Sequence, residues 1–215
     1  MAEKTETQEA KASSSFLYEV TRALASALFH TLMPVKFIGR EKLDREAPYV
    51  LIANHRHALD PVAMAMGVRG RQVVFLAKKE LGKNKLAGAY LKKVNCIMVD
   101  RHNTDMEAMR ACMRAIKEKR ILLIFPEGTR HHEGQMEQIE NGTALIAMRS
   151  KSPVVPVYFR EKLRFFHVTH IYVGDPIAYD DLLAEGINTE TCEKMNERMR
   201  ETYRRMIAET GGSAD

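Results

Sequence analysis

The chain contains no tryptophan and only three cysteines, Cys96, Cys112 and Cys192, among its 215 residues. The cysteines lie far apart and form no Cys-x-x-Cys pair. This excludes a disulfide framework and a cysteine-rich zinc site, and it predicts reduced thiols. A large excess of one charge is also lacking, since 33 Lys and Arg stand against 28 Asp and Glu. The net charge of +5 favours anionic partners such as phosphates or acidic lipid surfaces. Because basic residues are interleaved with acidic ones, it does not indicate a nucleic-acid-binding surface.

A secretory signal is missing from the start of the sequence. Residues 1–15 are polar, rich in Glu, Lys, Ser and Thr, and lack both a basic n-region and an apolar h-region. They predict a disordered leader, and we expect a cytoplasmic chain.

The first ordered element is predicted over residues 16–35, an amphipathic helix that Pro34 should end or kink. It is long enough to cross a bilayer, but Glu19 and Arg22 near one end and Ser26 in the middle argue against a span. Two interpretations stay open: the apolar face packs on the domain, or it lies in a membrane interface. The apolar positions with helical spacing are Leu17, Val20, Leu24, Ala27, Leu28, Leu32 and Val35.

Apolar strand-like runs and helix-like segments then alternate through residues 36–210, which we predict to be one domain. The pattern predicts a single α/β domain with a mixed, largely parallel sheet flanked by helices, preceded by the N-terminal amphipathic helix. In such sheets, functional sites form beyond the carboxyl ends of the strands. The predicted strands are 35–38, 49–53, 72–77, 96–99, 121–125, 154–159 and 165–173, and the predicted helices are 61–66, 85–93, 104–119, 142–149 and 189–208.

The first chemically suggestive segment, Asn54-His55-Arg56-His57-Ala58-Leu59-Asp60-Pro61, directly follows a predicted strand. Asp60 before Pro61 is typical of a helix N-cap followed by proline at the first helical position. A tight turn would bring the Asp60 carboxylate to one imidazole nitrogen of His55. The other nitrogen would then be a general base. The alternative is that Asp60 is only a cap and His55 only a turn residue.

A second segment, Phe125-Pro126-Glu127-Gly128-Thr129-Arg130, follows another predicted strand. Its tight turn would expose a carboxylate that can accept hydroxyl hydrogen bonds and a guanidinium that can grip a phosphate. Two further strand ends carry Lys78 and Arg101. If these ends meet at one edge of the sheet, they combine a base, a hydroxyl acceptor and a phosphate clamp.

These segments resemble the glycerolipid acyltransferases, specifically the 1-acylglycerol-3-phosphate acyltransferase family. The resemblance covers roughly residues 37–159 and rests on the order and spacing of four motifs. These are Asn-His-x-x-x-x-Asp at residues 54–60, a hydrophobic strand ending in Arg at 96–101, Phe-Pro-Glu-Gly-Thr-Arg at 125–130, and a proline-containing strand at 154–157.

The resemblance implies transfer of an acyl group to the free hydroxyl of 1-acyl-glycerol-3-phosphate, giving phosphatidic acid. His55, held by Asp60, would be the base, with direct transfer and no acyl-enzyme. The substrate-binding residues it implies are Lys78, Arg101, Glu127, Gly128, Thr129 and Arg130. The donor would be acyl-CoA or acyl carrier protein, without cofactor or metal. The lipid product implies a peripheral, monotopic enzyme held on the cytoplasmic side of a membrane by the first helix.

The sequence departs from the family's pattern at three places. His57 stands where Ser or Thr is usual, Asn95 where Gly is usual, and Glu140-Asn141 where a basic pair often precedes Gly142. Because an acid replaces a base near the expected phosphate site, another lysophospholipid or dihydroxyacetone phosphate stays open as acceptor. A thioesterase-like hydrolase and a non-catalytic lipid-binding protein would also share parts of this pattern. The phosphate clamp argues against the hydrolase, and the complete set of catalytic-type residues argues against the silent protein.

Overall fold

The computed structural model describes residues 16–94, 96–99, 106–128 and 136–211. Within these ranges, seven strands form one sheet in the order β1-β7-β6-β2-β5-β3-β4. The strands are β1 Val35–Ile38, β2 Val50–Ala53, β3 Val73–Lys78, β4 Ile97–Val99, β5 Ile121–Ile124, β6 Val154–Phe159 and β7 Thr169–Val173. The helices are α1 Phe16–Leu32, α2 Asp60–Gly67, α3 Lys85–Lys93, α4 Met106–Lys117, α5 Asn141–Ser150, α6 Asp180–Glu185 and α7 Thr189–Glu209.

The predicted α/β class and largely parallel sheet are confirmed. Five neighbouring strand pairs of this sheet are parallel, and the pair of β6 with β7 is antiparallel. Strands β2 to β6 therefore run in one direction, and β1 and β7 run in the other. As a result, the carboxyl ends of β2, β5, β3 and β4 meet at one edge, and the connection from β6 to β7 lies at this edge too.

The central strands are apolar along their whole length because both faces of the sheet are covered. All four residues of β2, all four of β5 and all six of β6 are buried. On one face, α4, α5 and α7 pack on the sheet, and on the other face α1 and α2 do so. This two-sided core holds the site-bearing edge rigid.

The apolar residues of the first helix divide into a buried set and an exposed set. Tyr18 and Phe29 are buried against the domain, and the Tyr18 hydroxyl accepts a hydrogen bond from the Val73 amide at 3.0 Å. Other apolar side chains face outward, at Phe16, Val20, Leu24 and Leu28. No helix within the described residues is long and apolar enough to cross a membrane.

Two predicted boundaries are wrong by three residues or more, and one helix was not predicted. The helix predicted to reach residue 35 ends at Leu32, because Pro34 interrupts it and β1 begins at Val35. The strand predicted from residue 165 begins only at Thr169, because the chain still turns at Phe166, with φ of 60°. The short helix α6 lacks a long apolar period and was not predicted. Residues 104 and 105, the first two of the helix predicted over 104–119, lie outside the described residues.

Candidate active site

The His55–Asp60 pair forms in the tight turn between β2 and α2. His55 Nδ1 lies 3.0 Å from Asp60 Oδ2, and Asp60 is fully buried. The same oxygen accepts the backbone amides of Arg56 and His57, both at 2.7 Å. The carboxylate therefore fixes the turn and the imidazole together. An Nδ1–H that donates to Asp60 leaves Nε2 as the basic nitrogen.

The structure corrects the predicted role of Asp60 as an N-cap. Helix α2 begins at Asp60 itself, and Leu59 occupies the N-cap position without a side-chain cap. The Asp60 carboxylate turns back toward the preceding residues instead of forward into the helix. Pro61 keeps its place in the first turn, where its missing N–H costs nothing.

Glu127 links the second segment to the first. Its Oε2 accepts the His55 backbone amide at 2.8 Å, and its Oε1 accepts the Met136 amide at 2.9 Å. The side chain is buried, with 5% of its surface exposed. Both carboxylate oxygens thus hold backbone, so the described contacts give Glu127 a positioning role. Its predicted contact with an acceptor hydroxyl stays a prediction.

The ring of Phe125 stacks on the imidazole of His55. The two ring centroids are 4.2 Å apart with an interplanar angle of 29°. This contact follows from the sheet order, since β5 lies beside β2 and Phe125 directly follows Ile124, the residue that pairs with Ile52. The sequence did not single out Phe125 for this role. Its position as the last residue of the strand predicted over 121–125 was the only available signal.

Asn54 extends the pairing of β2 and β6 beyond the last backbone ladder bond. Its side-chain amide donates to the Phe159 carbonyl at 3.0 Å, and its side-chain oxygen accepts the Phe159 amide at 2.7 Å. The side chain thereby imitates a peptide group. The residue directly before His55 is thus fixed to the neighbouring strand.

Tyr203 of α7 also binds β2 and β6, from the face of the sheet that α7 covers. Its hydroxyl lies 2.6 Å from the Ile52 carbonyl and 3.0 Å from the Val157 carbonyl. Complete burial raises the pKa of this phenol well above its usual range, so it stays a neutral donor. The helix predicted over residues 189–208 contains Tyr203, but the sequence assigns its hydroxyl no partner. Helical spacing cannot show which strand a hydroxyl reaches.

Of the remaining predicted binding residues, Lys78 and Gly128 lie in the described part of the chain. Lys78 is the exposed last residue of β3, one strand beyond β5 at the same edge. Gly128 adopts a φ of 66°, and its amide donates to the Phe125 carbonyl at 3.0 Å. Arg101, Thr129 and Arg130 lie outside the described residues, so their predicted roles stay predictions.

Glu140, one of the departures from the family's pattern, lies against the Phe125–Gly128 turn. A Cβ built on Gly128 would meet the Glu140 side chain at 2.9 Å, and the Glu140 amide donates to the Pro126 carbonyl at 2.8 Å. The positive φ and this close approach together require glycine at position 128. They also place an acidic side chain beside the turn that carries Glu127.

A family model described as Acyltransferase matches residues 34–160. The chain belongs to the acyltransferase family. The match includes both segments of the site, from the His55 turn to the end of β6. The bond between His55 and Asp60 therefore lies within the acyltransferase domain.

Curated relatives of this acyltransferase carry a more specific name. This chain is 29% identical over 175 residues to a 1-acyl-sn-glycerol-3-phosphate acyltransferase of Bacillus subtilis. The matched region covers 78% of this chain and 87% of the relative. The chain is 34% identical over 133 residues to a putative 1-acyl-sn-glycerol-3-phosphate acyltransferase of Caenorhabditis elegans, covering 60% of this chain and 46% of that protein.

The fold also matches a solved structure, the 1-acyl-sn-glycerophosphate acyltransferase PlsC from Thermotoga maritima. The TM-score is 0.68 at 20% sequence identity, over 99% of this chain and 85% of that chain. At this identity the likeness establishes the shared architecture of this acyltransferase.

Proposed function

We propose that this acyltransferase moves a fatty acyl group from a thioester to the free hydroxyl of 1-acyl-glycerol-3-phosphate, giving phosphatidic acid for phospholipid synthesis. The observation that carries the proposal is the His55–Asp60 bond of 3.0 Å at the edge where the Glu127 turn also lies. The relative from Bacillus subtilis, matched over most of its length, supports the choice of acceptor.

In the proposed reaction, His55 Nε2 takes the proton of the acceptor hydroxyl as its oxygen attacks the thioester carbonyl. An alcohol is far less acidic than an imidazolium, so the proton moves as the new C–O bond forms. The tetrahedral intermediate then expels the thiolate, which takes the proton from His55. Asp60 stabilises the transient imidazolium and keeps the ring oriented. No acyl-enzyme is formed.

The acceptor's phosphate is the group that cations at the strand ends would hold. Lys78 at the end of β3 supports this placement, and we assign Arg101 and Arg130 to the same task. Thr129 and Gly128 would line the acceptor site beside Glu127. Arginine suits a phosphate because its planar fork can bond two oxygens at once.

The donor is proposed to be acyl-CoA or acyl carrier protein, and the reaction as written needs neither a cofactor nor a metal. Cys96 supports transfer without a cysteine acyl-enzyme. Burial raises the pKa of its thiol to about 12, which keeps it protonated and weakly nucleophilic near neutral pH.

A peripheral, monotopic location on the cytoplasmic side of a membrane fits the proposed lipid substrates. It is supported by the outward-facing apolar residues of α1, which recur every four residues and so form a continuous stripe. Serine in place of Leu24 and Leu28 tests this anchor better than deletion of α1, because Tyr18 and Phe29 of that helix are part of the core. We expect the double variant to shift from the membrane to the soluble fraction. Full retention on membranes would refute the anchor.

The deciding experiment incubates purified protein with labelled acyl-CoA and a panel of acceptors. The protein should form labelled phosphatidic acid from 1-acyl-glycerol-3-phosphate, and His55→Ala should lower that rate by about a thousandfold or more. His170→Ala is the matched control, because this imidazole lies on β7 and bonds Glu161. Label released only as free fatty acid would indicate a hydrolase. Undiminished product from His55→Ala would refute the mechanism.

A second candidate is transfer to another phosphorylated acceptor or lysophospholipid. The observation that favours it is the Glu140 side chain against Gly128, beside the turn that we assign to acceptor binding. Dihydroxyacetone phosphate and lysophosphatidylcholine in the same panel separate the two candidates by their relative kcat/KM.

A further inference from the structure

The connection between β6 and β7, residues 160–168, lies beside the catalytic turn. It follows the carboxyl end of β6, and β6 is the parallel neighbour of the strand that leads into His55. Arg56 in that turn donates from Nη1 to the Arg160 carbonyl at 2.9 Å. Whatever this connection contacts is therefore held close to the reacting groups.

The connection exposes a group of apolar side chains of a kind that is rare in the surface loops of soluble proteins. Phe165 is 61% exposed, Phe166 is 75% exposed, and their ring centroids are 6.4 Å apart. Val168 is exposed beside them. Single exposed apolar residues are ordinary, but a cluster of this kind marks an interaction surface.

The backbone holds Phe166 in this position against its own preference. Its φ of 60° is in the left-handed region, which bulky residues seldom adopt. Its amide donates to the Leu32 carbonyl at the end of α1, at 2.7 Å. Strain kept in a folded protein points to a function for the strained residue. Here it presents an aromatic ring outward at the end of the helix that carries the other exposed apolar stripe.

Basic residues flank the two phenylalanines along the connection and line a hollow in it. A hollow of about 250 Å³ is lined by the cationic or basic side chains of Arg56, Arg160, Lys162, Arg164 and His167. The acid among its described lining residues is Glu161, which accepts the His170 amide at 2.8 Å and lies 3.4 Å from Arg160 Nε. The hollow is therefore cationic overall, which suits the phosphate of a lipid headgroup.

We propose that residues 160–168 form a membrane contact in addition to α1, in which Phe165 and Phe166 enter the interface of a bilayer and the surrounding cations bind anionic headgroups. This inference rests on the proposed function in one respect, since the acceptor would be a membrane lipid. The contact would hold the catalytic turn at the lipid surface. A second copy of the chain fits this surface poorly, because a symmetric contact would set two cationic loops against each other.

Flotation of the full chain with vesicles tests the proposal, using neutral phosphatidylcholine vesicles and vesicles that also contain phosphatidylglycerol. F165S/F166S should weaken binding to both vesicle types about tenfold or more, because it removes apolar insertion. K162Q/R164Q should weaken binding to the anionic vesicles only, by about fivefold per cation. The matched controls are M106S/I187S and K117Q/R205Q, which change exposed residues of α4, α7 and the turn before α7, and they should bind like the unmodified protein.

Two results would overturn the proposal: flotation of F165S/F166S equal to that of the unmodified protein, or an equal loss of binding by K162Q/R164Q on neutral and anionic vesicles. If F165S/F166S also turns a dimer into a monomer while its flotation is unchanged, the surface instead binds a second copy of the chain. Acyl transfer to a short-chain acceptor kept below its micellar concentration tests the proposed function separately. Absent transfer there refutes that function whatever the flotation result. If transfer occurs, the ratio of vesicle-borne to monomeric activity should fall about tenfold in F165S/F166S.

Discussion

The carboxylate of Glu127 accepts the backbone amide of His55 at 2.8 Å, across 72 positions of sequence. Two motif segments that are separate along the chain are thereby one structural unit. The position of the proposed base depends on this buried bond as well as on Asp60.

Glu127→Gln should lower kcat about 10- to 100-fold with a smaller change in KM. A glutamine has one oxygen, so either the His55 or the Met136 amide would face its NH2 group, and an unsatisfied buried donor costs about 1–3 kcal/mol. Steady-state kinetics at several acceptor concentrations measure the split. A rise in KM alone would mean that Glu127 serves acceptor binding instead of positioning.

Asp60→Asn should lower kcat about 10²- to 10⁴-fold while the protein still folds. The asparagine oxygen can accept the Arg56 and His57 amides, but the imidazolium loses its negative partner. Kinetics together with a melting curve check this prediction. A kcat within threefold of the unmodified protein would show that His55 does not need the carboxylate.

Tyr203→Phe should lower both stability and kcat, because it removes the hydroxyl that binds the Ile52 and Val157 carbonyls below the catalytic turn. The expected loss of stability is about 1–2 kcal/mol. Tyr179→Phe is the matched control, since its buried hydroxyl donates to the Ser152 carbonyl at 2.7 Å, before the start of β6. Denaturation should show a loss of stability for both variants, whereas kcat should fall only for Tyr203→Phe. Equal kcat values would make Tyr203 a purely structural residue.

Glu140→Gln should lower the KM for a phosphorylated acceptor about two- to fivefold. The substitution removes a carboxylate next to Gly128, and partly screened repulsion between that carboxylate and a nearby phosphate amounts to about 0.5–1 kcal/mol. The KM for an acceptor without a phosphate monoester is the internal control. Parallel changes for both acceptors would contradict an electrostatic role.

Cys96→Ser should retain acyl transfer, and N-ethylmaleimide at pH 7 should inactivate the protein only slowly. The thiol lies 3.0 Å from the Phe75 carbonyl, and burial raises its pKa to about 12. Because the pKa is raised, the thiolate becomes abundant only near that pH, so little is present at pH 7. Mass spectrometry of the labelled protein measures the modification. Loss of activity in Cys96→Ser would reopen a covalent mechanism.

Much of the fold could be predicted because its signals are local. Continuous apolar runs predicted the buried strands, and α3 begins and ends at the predicted residues, Lys85 and Lys93. Boundaries were less predictable where a tertiary contact decides them. Phe166 belongs to a strand-like apolar sequence, yet its bond to Leu32 keeps it in a turn and delays β7 to Thr169.

The sequence by itself determined the residue types of the site and the class of the fold. Asn54, His55, Asp60 and the Phe-Pro-Glu-Gly segment carry chemistry that spacing and resemblance make recognisable. Only the tertiary structure decided how these residues support one another, since the order of strands in the sheet sets which strand ends are neighbours. The stacking of Phe125 on His55, the Glu127 bond to the His55 amide and the Tyr203 hydroxyl below β2 all depend on that order. Apolar spacing records that a residue is buried, but it holds no information about the partner that a polar atom finds there.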